Sequence, residues 1–132
     1  MALQYSTTVR NAELDALETA VGTSPILKIR SGSAPANCAT ADSGTVLATM
    51  TLPSDWLAAA SSGSKAKSGT WQDTSADATG TAAHFRIYDS TGTTCHLQGT
   101  VTATGGGGDL TLDNTSIASG QSITINTFSI TA

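Results

Sequence analysis

Between residues 82 and 104 (AAHFRIYDSTGTTCHLQGTVTAT) the chain gathers side chains of the types that do chemistry: the imidazoles of His84 and His96, the carboxylate of Asp89 and the thiol of Cys95. Together these are zinc-ligand types, but a zinc site takes three or four of them converging on one point. At the two-residue period of a strand, His84 and His96 fall on the Thr/Gln/Arg face of a hairpin, and Cys95 points to the opposite face from His96. His84, His96 and Asp89 alone do not complete a site, so the histidines read as half-exposed cross-strand residues. No metal is expected.

Nucleophilic chemistry finds no better footing. Serine is plentiful, yet no Gly-x-Ser-x-Gly elbow stands between a strand and a helix. Gly105, Gly106, Gly107 and Gly108 suggest a phosphate loop, but that motif continues into Lys-Ser/Thr and a helix, whereas Asp109 and a strand follow here. Asp73 and Asp77 lie in a loop without a partnering acid, so the carboxylate pair of a glycosidase is not supported and solvated turn residues are the reading. Trp56 and Trp71 read as core or interface anchors, with Trp56, Trp71 and Tyr88 as the alternative lining of a sugar-binding surface. The chain is therefore expected to be no enzyme and to carry no catalytic residue and no cofactor.

The elements that position these residues follow from periodicity. Residues 82–104 form a hairpin: Phe85 and Ile87 face one way and His84, Arg86 and Tyr88 the other. The turn spans residues 89–93, and Cys95, Leu97, Gly99, Val101 and Ala103 share one face of the return strand. Residues 5–21 (YSTTVRNAELDALETAV) predict a helix capped by Ser6 or Thr7 and stopped by Gly22. Leu14, Leu17 and Val21 fall on its narrow apolar stripe, which can pack on its own domain or on a partner chain. Strands are predicted at 26–30, 44–52, 68–73, 109–113 and 122–131, the last irregular near Asn126 and Thr127. Residues 54–58 predict a helical turn. Residues 31–43 and 59–67 read as loops, the second as a mobile one, and 105–108 as a flexible loop or a place of close backbone approach.

One helix and six to eight short strands, with turn signals between them, give an all-β fold. The expectation is an antiparallel β-sandwich or jelly roll with one N-terminal α-helix: a helical arm over 1–22 and a single β-sandwich domain over 23–132. At 132 residues the chain can bury a core without a metal or disulfide.

Charged residues are only 12% of the chain, the net charge is -4, and the Lys and Arg residues number 6. That excludes nucleic acid as a partner, because displacing counterions from phosphates needs clustered positive charge. A 39% hydrophobic content argues against disorder. No apolar run is long enough to span a membrane, and no basic segment followed by an apolar one marks a secretory signal, so synthesis and folding in a cytoplasm are expected. Cys38 and Cys95 are the only cysteines; they pair in an oxidising setting and stay reduced in a cytosol. An uncharged Thr/Ser/Ala/Gly surface tolerates close subunit contact, and the closed homo-oligomer expected is a dimer or trimer.

Three stretches, LKIRSGSAPANCATADSGTVLATMTLPSDW, GTWQDT and AAHFRIYDSTGTTCHLQGTVTATGGGGDLTLDNTSIASGQSITI, resemble small proteins encoded among the virion structural genes of tailed bacteriophages and prophages. The resemblance runs from about Tyr5 to Ile130 and is spread over the whole sequence rather than held in a motif. It implies a virion component made in the bacterial host cytoplasm, and it carries over no catalytic residue. Within that group it suggests a capsid decoration or cement protein that binds the major capsid protein at subunit junctions. A tail or fibre component with a carbohydrate- or receptor-binding β-domain is the alternative. Residues expected at an interface are Leu14, Leu17, Val21, Trp56, Trp71, Gly105, Gly106, Gly107 and Gly108.

Overall fold

The computed structural model describes residues 3–132 and shows a mostly β chain with one N-terminal helix and a curled, mixed sheet. Helix α1 (Thr7–Val21) starts two residues into the predicted 5–21 stretch, with Ser6 rather than Thr7 as its cap: the Ser6 side chain accepts from Val9 N at 3.2 Å, and Gly22 (φ 90°) closes the other end with its N–H on Glu18 O. Leu14 and Val21 are buried, and Leu17 packs against the core. The helix lies on β3 (Ser64–Ala66).

The main sheet has the order β2-β1-β6-β7-β8, with β1 Ile26–Arg30, β2 Val46–Thr51, β6 His84–Tyr88, β7 Cys95–Ala103 and β8 Leu110–Leu112. Three short ladders cover its apolar face: β4 (Trp71–Asp73) with β10 (Ile123–Ile125), β3 with β11 (Ser129–Thr131), and β5 (Gly80–Thr81) with β9 (Ser116–Ile117). Leu27, Ile29, Ala48, Met50, Phe85 and Ile87 meet Trp56, Leu57, Trp71, Ile123, Ile125 and Phe128 in one core. An aromatic string crosses it: Trp56 to Trp71 at 6.0 Å between centroids, Trp71 to Phe128 at 5.3 Å, and Phe128 to Phe85 at 5.8 Å, edge-on. Trp56 Nε1 donates to Gly22 O at 3.1 Å, which ties this string to the end of the helix.

Several sequence expectations change. β7 and β8 run parallel, with Val101 opposite Leu110 and Ala103 opposite Leu112, so the sheet is not purely antiparallel. Parallel neighbours ordinarily need a crossover of about a dozen residues or more. Here the return is made by Gly105 to Gly108, two of them at positive φ, folded flat against β7. Of the two readings of that loop, close approach is the one observed: Gly108 N donates to Thr102 Oγ1 at 3.0 Å.

Residues 59–67 are not a featureless loop, because β3 pairs with β11 there and Lys65 is buried. Residues 54–58 make bends and a bridge from Leu57 to Lys67 rather than a helical turn. The irregularity expected near Asn126 and Thr127 divides residues 122–131 into β10 and β11, which pair with different strands.

Candidate functional site

The apolar face of the β6–β7 hairpin belongs to the core. Its other face carries Arg86, Tyr88 and His84, with Arg30 on the adjoining β1, and all four are buried. They are covered by the connection between β1 and β2, residues 31–45, which folds back over the sheet. Its turn formers make that possible. Asn37 Oδ1 accepts from the N–H groups of Ala39 and Thr40 at 2.9 and 3.1 Å, and Gly44 (φ 71°) sits against Ser31 O, where a Cβ would come within 1.8 Å.

Arg86 is the centre of the site. Its Nη1 donates to Asp42 Oδ1 at 2.7 Å, its Nη2 to the carbonyls of Asn37 and Thr40 at 2.9 Å each, and its Nε to Gln98 Oε1 at 3.1 Å. Tyr88 Oη donates to the same Asp42 Oδ1 at 2.6 Å, and Arg30 Nη2 lies 3.1 Å from Asp42 Oδ2. Gln98 Nε2 donates to Pro35 O at 2.8 Å, and His84 Nδ1 donates to Gly32 O at 2.7 Å. The guanidinium fork thus grips a loop that has no large apolar side chain of its own.

Burial works to raise the Asp42 carboxyl, but hydrogen bonds from Tyr88 and Arg86 and the charges of Arg30 and Arg86 outweigh it, so Asp42 titrates below its ordinary value. Burial and the bond to Asp42 both raise the Tyr88 phenol. Arg30 Nε and His84 Nε2 are buried on directly opposed residues of β1 and β6, with no hydrogen-bond partner among the described residues.

His84 and His96 do not form a pair. His84 faces Thr100 in the ladder and is buried, which overturns its reading as a half-exposed residue. His96 is the extra residue of a β-bulge: Ile87 faces Leu97, but Tyr88 faces Cys95. A bulge shifts the register by one residue and swaps the faces beyond it. Cys95 therefore lies on the Arg86/Tyr88 face and not with Leu97, as strict alternation predicted. It meets Cys38 there, and both thiols line a hollow of about 320 Å³ together with Asp42, Arg86, Tyr88 and Thr93. Burial first, then a hydrogen bond with Cys38, push the Cys95 thiol up to about 12.

The other sequence-derived candidates are dispersed. Trp56 and Trp71 are both 0% exposed in the core, and Tyr88 is buried, so none presents a ring to solvent. Leu14 and Val21 are covered within the chain, whereas Gly105, Gly106 and Gly107 are exposed. Asp73 and Asp77 share work rather than chemistry: Asp73 accepts from Thr49 N at 2.9 Å and Asp77 from Thr49 Oγ1 at 2.7 Å, which fixes the connection from β4 to β5 onto β2. Asp89 caps its own turn, accepting from Thr91 Oγ1 at 2.7 Å and Thr93 N at 3.1 Å; these bonds, the first above all, hold its carboxyl down at about 2.

Among the described residues no three His, Cys, Asp or Glu side chains come together to hold a metal ion, and no helix is long and apolar enough to cross a membrane. A hollow of about 460 Å³ between β7 and β11 is lined by Phe85, Leu97, Phe128 and Ile130, with Gln98, Asp109, Ser129 and Thr131 as its polar groups and no histidine among them. Sequence reasoning missed the clamp made by Arg30, Asp42, Arg86 and Tyr88. The available signal was Arg86 and Tyr88 on one face of a strand, and Asp42 alone in an otherwise uncharged loop. No protein-family model matches the chain, and no curated protein or solved structure shows significant similarity to it.

Proposed function

We propose that this chain is a structural protein of a tailed-bacteriophage virion, a capsid decoration or cement protein that binds the major capsid protein at subunit junctions. The reading starts from the expected resemblance, from about Tyr5 to Ile130, to small proteins encoded among virion genes, and the structural observation that supports it is the exposed apolar segment at residues 3–9. We read the main sheet and the ladders over its apolar face as the two layers of a small sandwich of jelly-roll type. Such a protein works by binding in many copies, with no reaction to perform.

Surface composition supports a contact role. Among the described residues the large apolar side chains left exposed are Leu3, Tyr5 and Val9, at 85%, 54% and 44%. All three lie at the helix end of the chain, and Leu3 and Tyr5 precede the helix, outside any helix or strand. Exposed apolar groups clustered in one segment mark contact surfaces. The rest of the surface is rich in hydroxyls and poor in charge. We assign the contact to residues 3–9, with the exposed Gly105–Gly107 loop as a second close-packing point, and the occupant to the capsid protein or a second copy of this chain.

Mass spectrometry and cryo-electron microscopy of purified virions test this. The expected result is many copies on the head, with residues 3–9 against a neighbouring chain, and loss of head binding in a Leu3→Ser/Tyr5→Ser variant that melts like the parent. Virions free of the protein, or unchanged binding by the variant, would overturn the proposal.

A further inference from the structure

We propose that Cys38 and Cys95 form a redox-active pair, which a small-molecule disulfide closes into an intramolecular bond stapling the 31–45 loop to β7. Three independent features bring the thiols together. Cys38 lies between Asn37 and Thr40, whose carbonyls both accept from Arg86 Nη2 at 2.9 Å. Cys95 faces Tyr88, two positions along β6 from Arg86, because the bulge at His96 turns it to that side. Both side chains line the same hollow and both are half-buried. Among the described residues the two thiols belong to no cluster of three or more side chains that could hold a metal ion, so the pair is treated as a dithiol.

The chemistry balances as two thiol–disulfide exchanges. The Cys38 thiolate attacks one sulfur of the external disulfide RSSR, a Cys38–SR bond forms, and RS⁻ leaves to take up a proton. The Cys95 thiolate then attacks the Cys38 sulfur, the protein disulfide forms, and the second RS⁻ leaves. In sum, two protein thiols are oxidised and one RSSR is reduced to two RSH. The second step is the slow one, because burial holds Cys95 in its thiol form. Its rate therefore rises about tenfold per pH unit across the neutral and mildly alkaline range.

The pair's chemistry does not depend on what the protein binds. If the chain is carried out of a reducing cytoplasm in a virion, the staple closes after assembly, a consequence that alone rests on the virion reading.

The test uses the full-length reduced protein in glutathione redox buffers. Oxidised glutathione should remove two hydrogens from the intact mass, give a cross-linked Cys38–Cys95 peptide in a monomer, and raise the melting midpoint by on the order of 10 °C. Dithiothreitol should reverse all three. Cys38→Ser and Cys95→Ser should each show no such midpoint rise. Stable double glutathione adducts, disulfide-linked dimers, or two thiols left free while the urea-unfolded chain oxidises would each overturn the proposal.

Discussion

Arg86 Nη1 donates to Asp42 Oδ1 at 2.7 Å, and that contact, with the bonds from Arg86 Nη2, Tyr88, Gln98 and His84, lets a strand in the middle of the sheet hold the 31–45 loop. The loop supplies carbonyls and one carboxylate, and the sheet supplies the donors. Arg86 is 2% exposed and Asp42 40%. Removing the acid strands a buried guanidinium, whereas the acid alone could regain water. Asp42→Ala is expected to cost about 2–4 kcal/mol, the lower part of the range reflecting the acid's exposure. Urea unfolding followed by tryptophan fluorescence measures it; a loss under about 0.5 kcal/mol would show that the loop stays in place without the clamp.

The same contact sets an acid limit. Asp42 has a lower carboxyl pKa folded than its ordinary 3.8, so its contribution is fully present above that value and is lost as pH falls through the folded one. Asp89, at about 2 in the native turn, acts in the same direction. The melting midpoint should therefore change little between about pH 7 and 5 and fall below about pH 4. Asp42→Asn should start lower and lose less on acidification. An equal acid slope in both proteins would remove Asp42 from the account.

How much of this was legible in the sequence depends on whether local periodicity decides. The helix from Thr7, its Ser6 cap and Gly22 stop, the β6–β7 hairpin and the inward Leu110 and Leu112 follow from spacing alone, and the structure has them. Alternation failed at His96 because one inserted residue reverses every face beyond it, and nothing in CHLQG marks the insertion. The same happens at Leu47, which is skipped between Ala48 and Val46 opposite β1 and turns into the core. The burial of Arg30, Arg86 and Lys65 was illegible for another reason. A charge is read as exposed until its partner is known, and the partners lie 44 residues away for Arg86 and 50 for Lys65.

Gly108 and Gly105 separate two ways in which a glycine matters. A Cβ on Gly108 would meet Thr102 N at 2.9 Å as well as that residue's side chain, so no rotamer change makes room. At Gly105 there is open space, but φ is 88°. Gly108→Ala should cost about 2–3 kcal/mol by forcing the return loop off β7, and Gly105→Ala about 1 kcal/mol for the left-handed backbone alone. Thr102→Ala should not rescue Gly108→Ala, because the clashing backbone atom remains. Denaturant midpoints of the three variants decide this, and rescue would mean that the side chain was the obstacle.

Lys65 fastens α1 to β3. Its Nζ donates to Asp15 at 2.8 Å and lies 2.9 Å from Glu18, and the two acids sit one turn apart on the helix. Burial opposes the ammonium, but its bonds to the Asp15 and Glu18 carboxylates and their charges more than offset it, so Lys65 stays charged. Lys65→Ala loses the packed stem and leaves two like charges facing each other. With Asp15 60% exposed and Glu18 24%, solvent screens part of that effect, and about 1–2 kcal/mol is expected. Hydrogen exchange should show the amides of α1 losing protection before those of β6, and Lys65→Met should lie between Lys65→Ala and the parent. Uniform loss across the sheet would mean that the helix is not a separately loosened unit.

Trp71 and Leu3 assign stability and contact to different parts of the chain. Trp71 is 0% exposed, packed between Trp56 and Phe128, with its Nε1 donating to Ser68 O at 3.2 Å. Truncation opens a cavity that the aromatic string cannot close, because Trp56 is held to Gly22 and Phe128 to Phe85. Trp71→Ala should cost about 3–5 kcal/mol. Leu3, at 85% exposed, buries too little surface in the isolated chain for Leu3→Ser to matter to its folding. If residues 3–9 are the contact, Leu3→Ser should weaken association while leaving the melting midpoint within about 1 °C of the parent. Trp71→Ala should lower the midpoint and weaken association only in proportion to the unfolded fraction. Titrating both variants against capsid shells at a temperature where each is folded separates these effects. A Trp71→Ala protein that is folded yet cannot bind would move the contact surface from the N-terminal segment to the core-facing ladders.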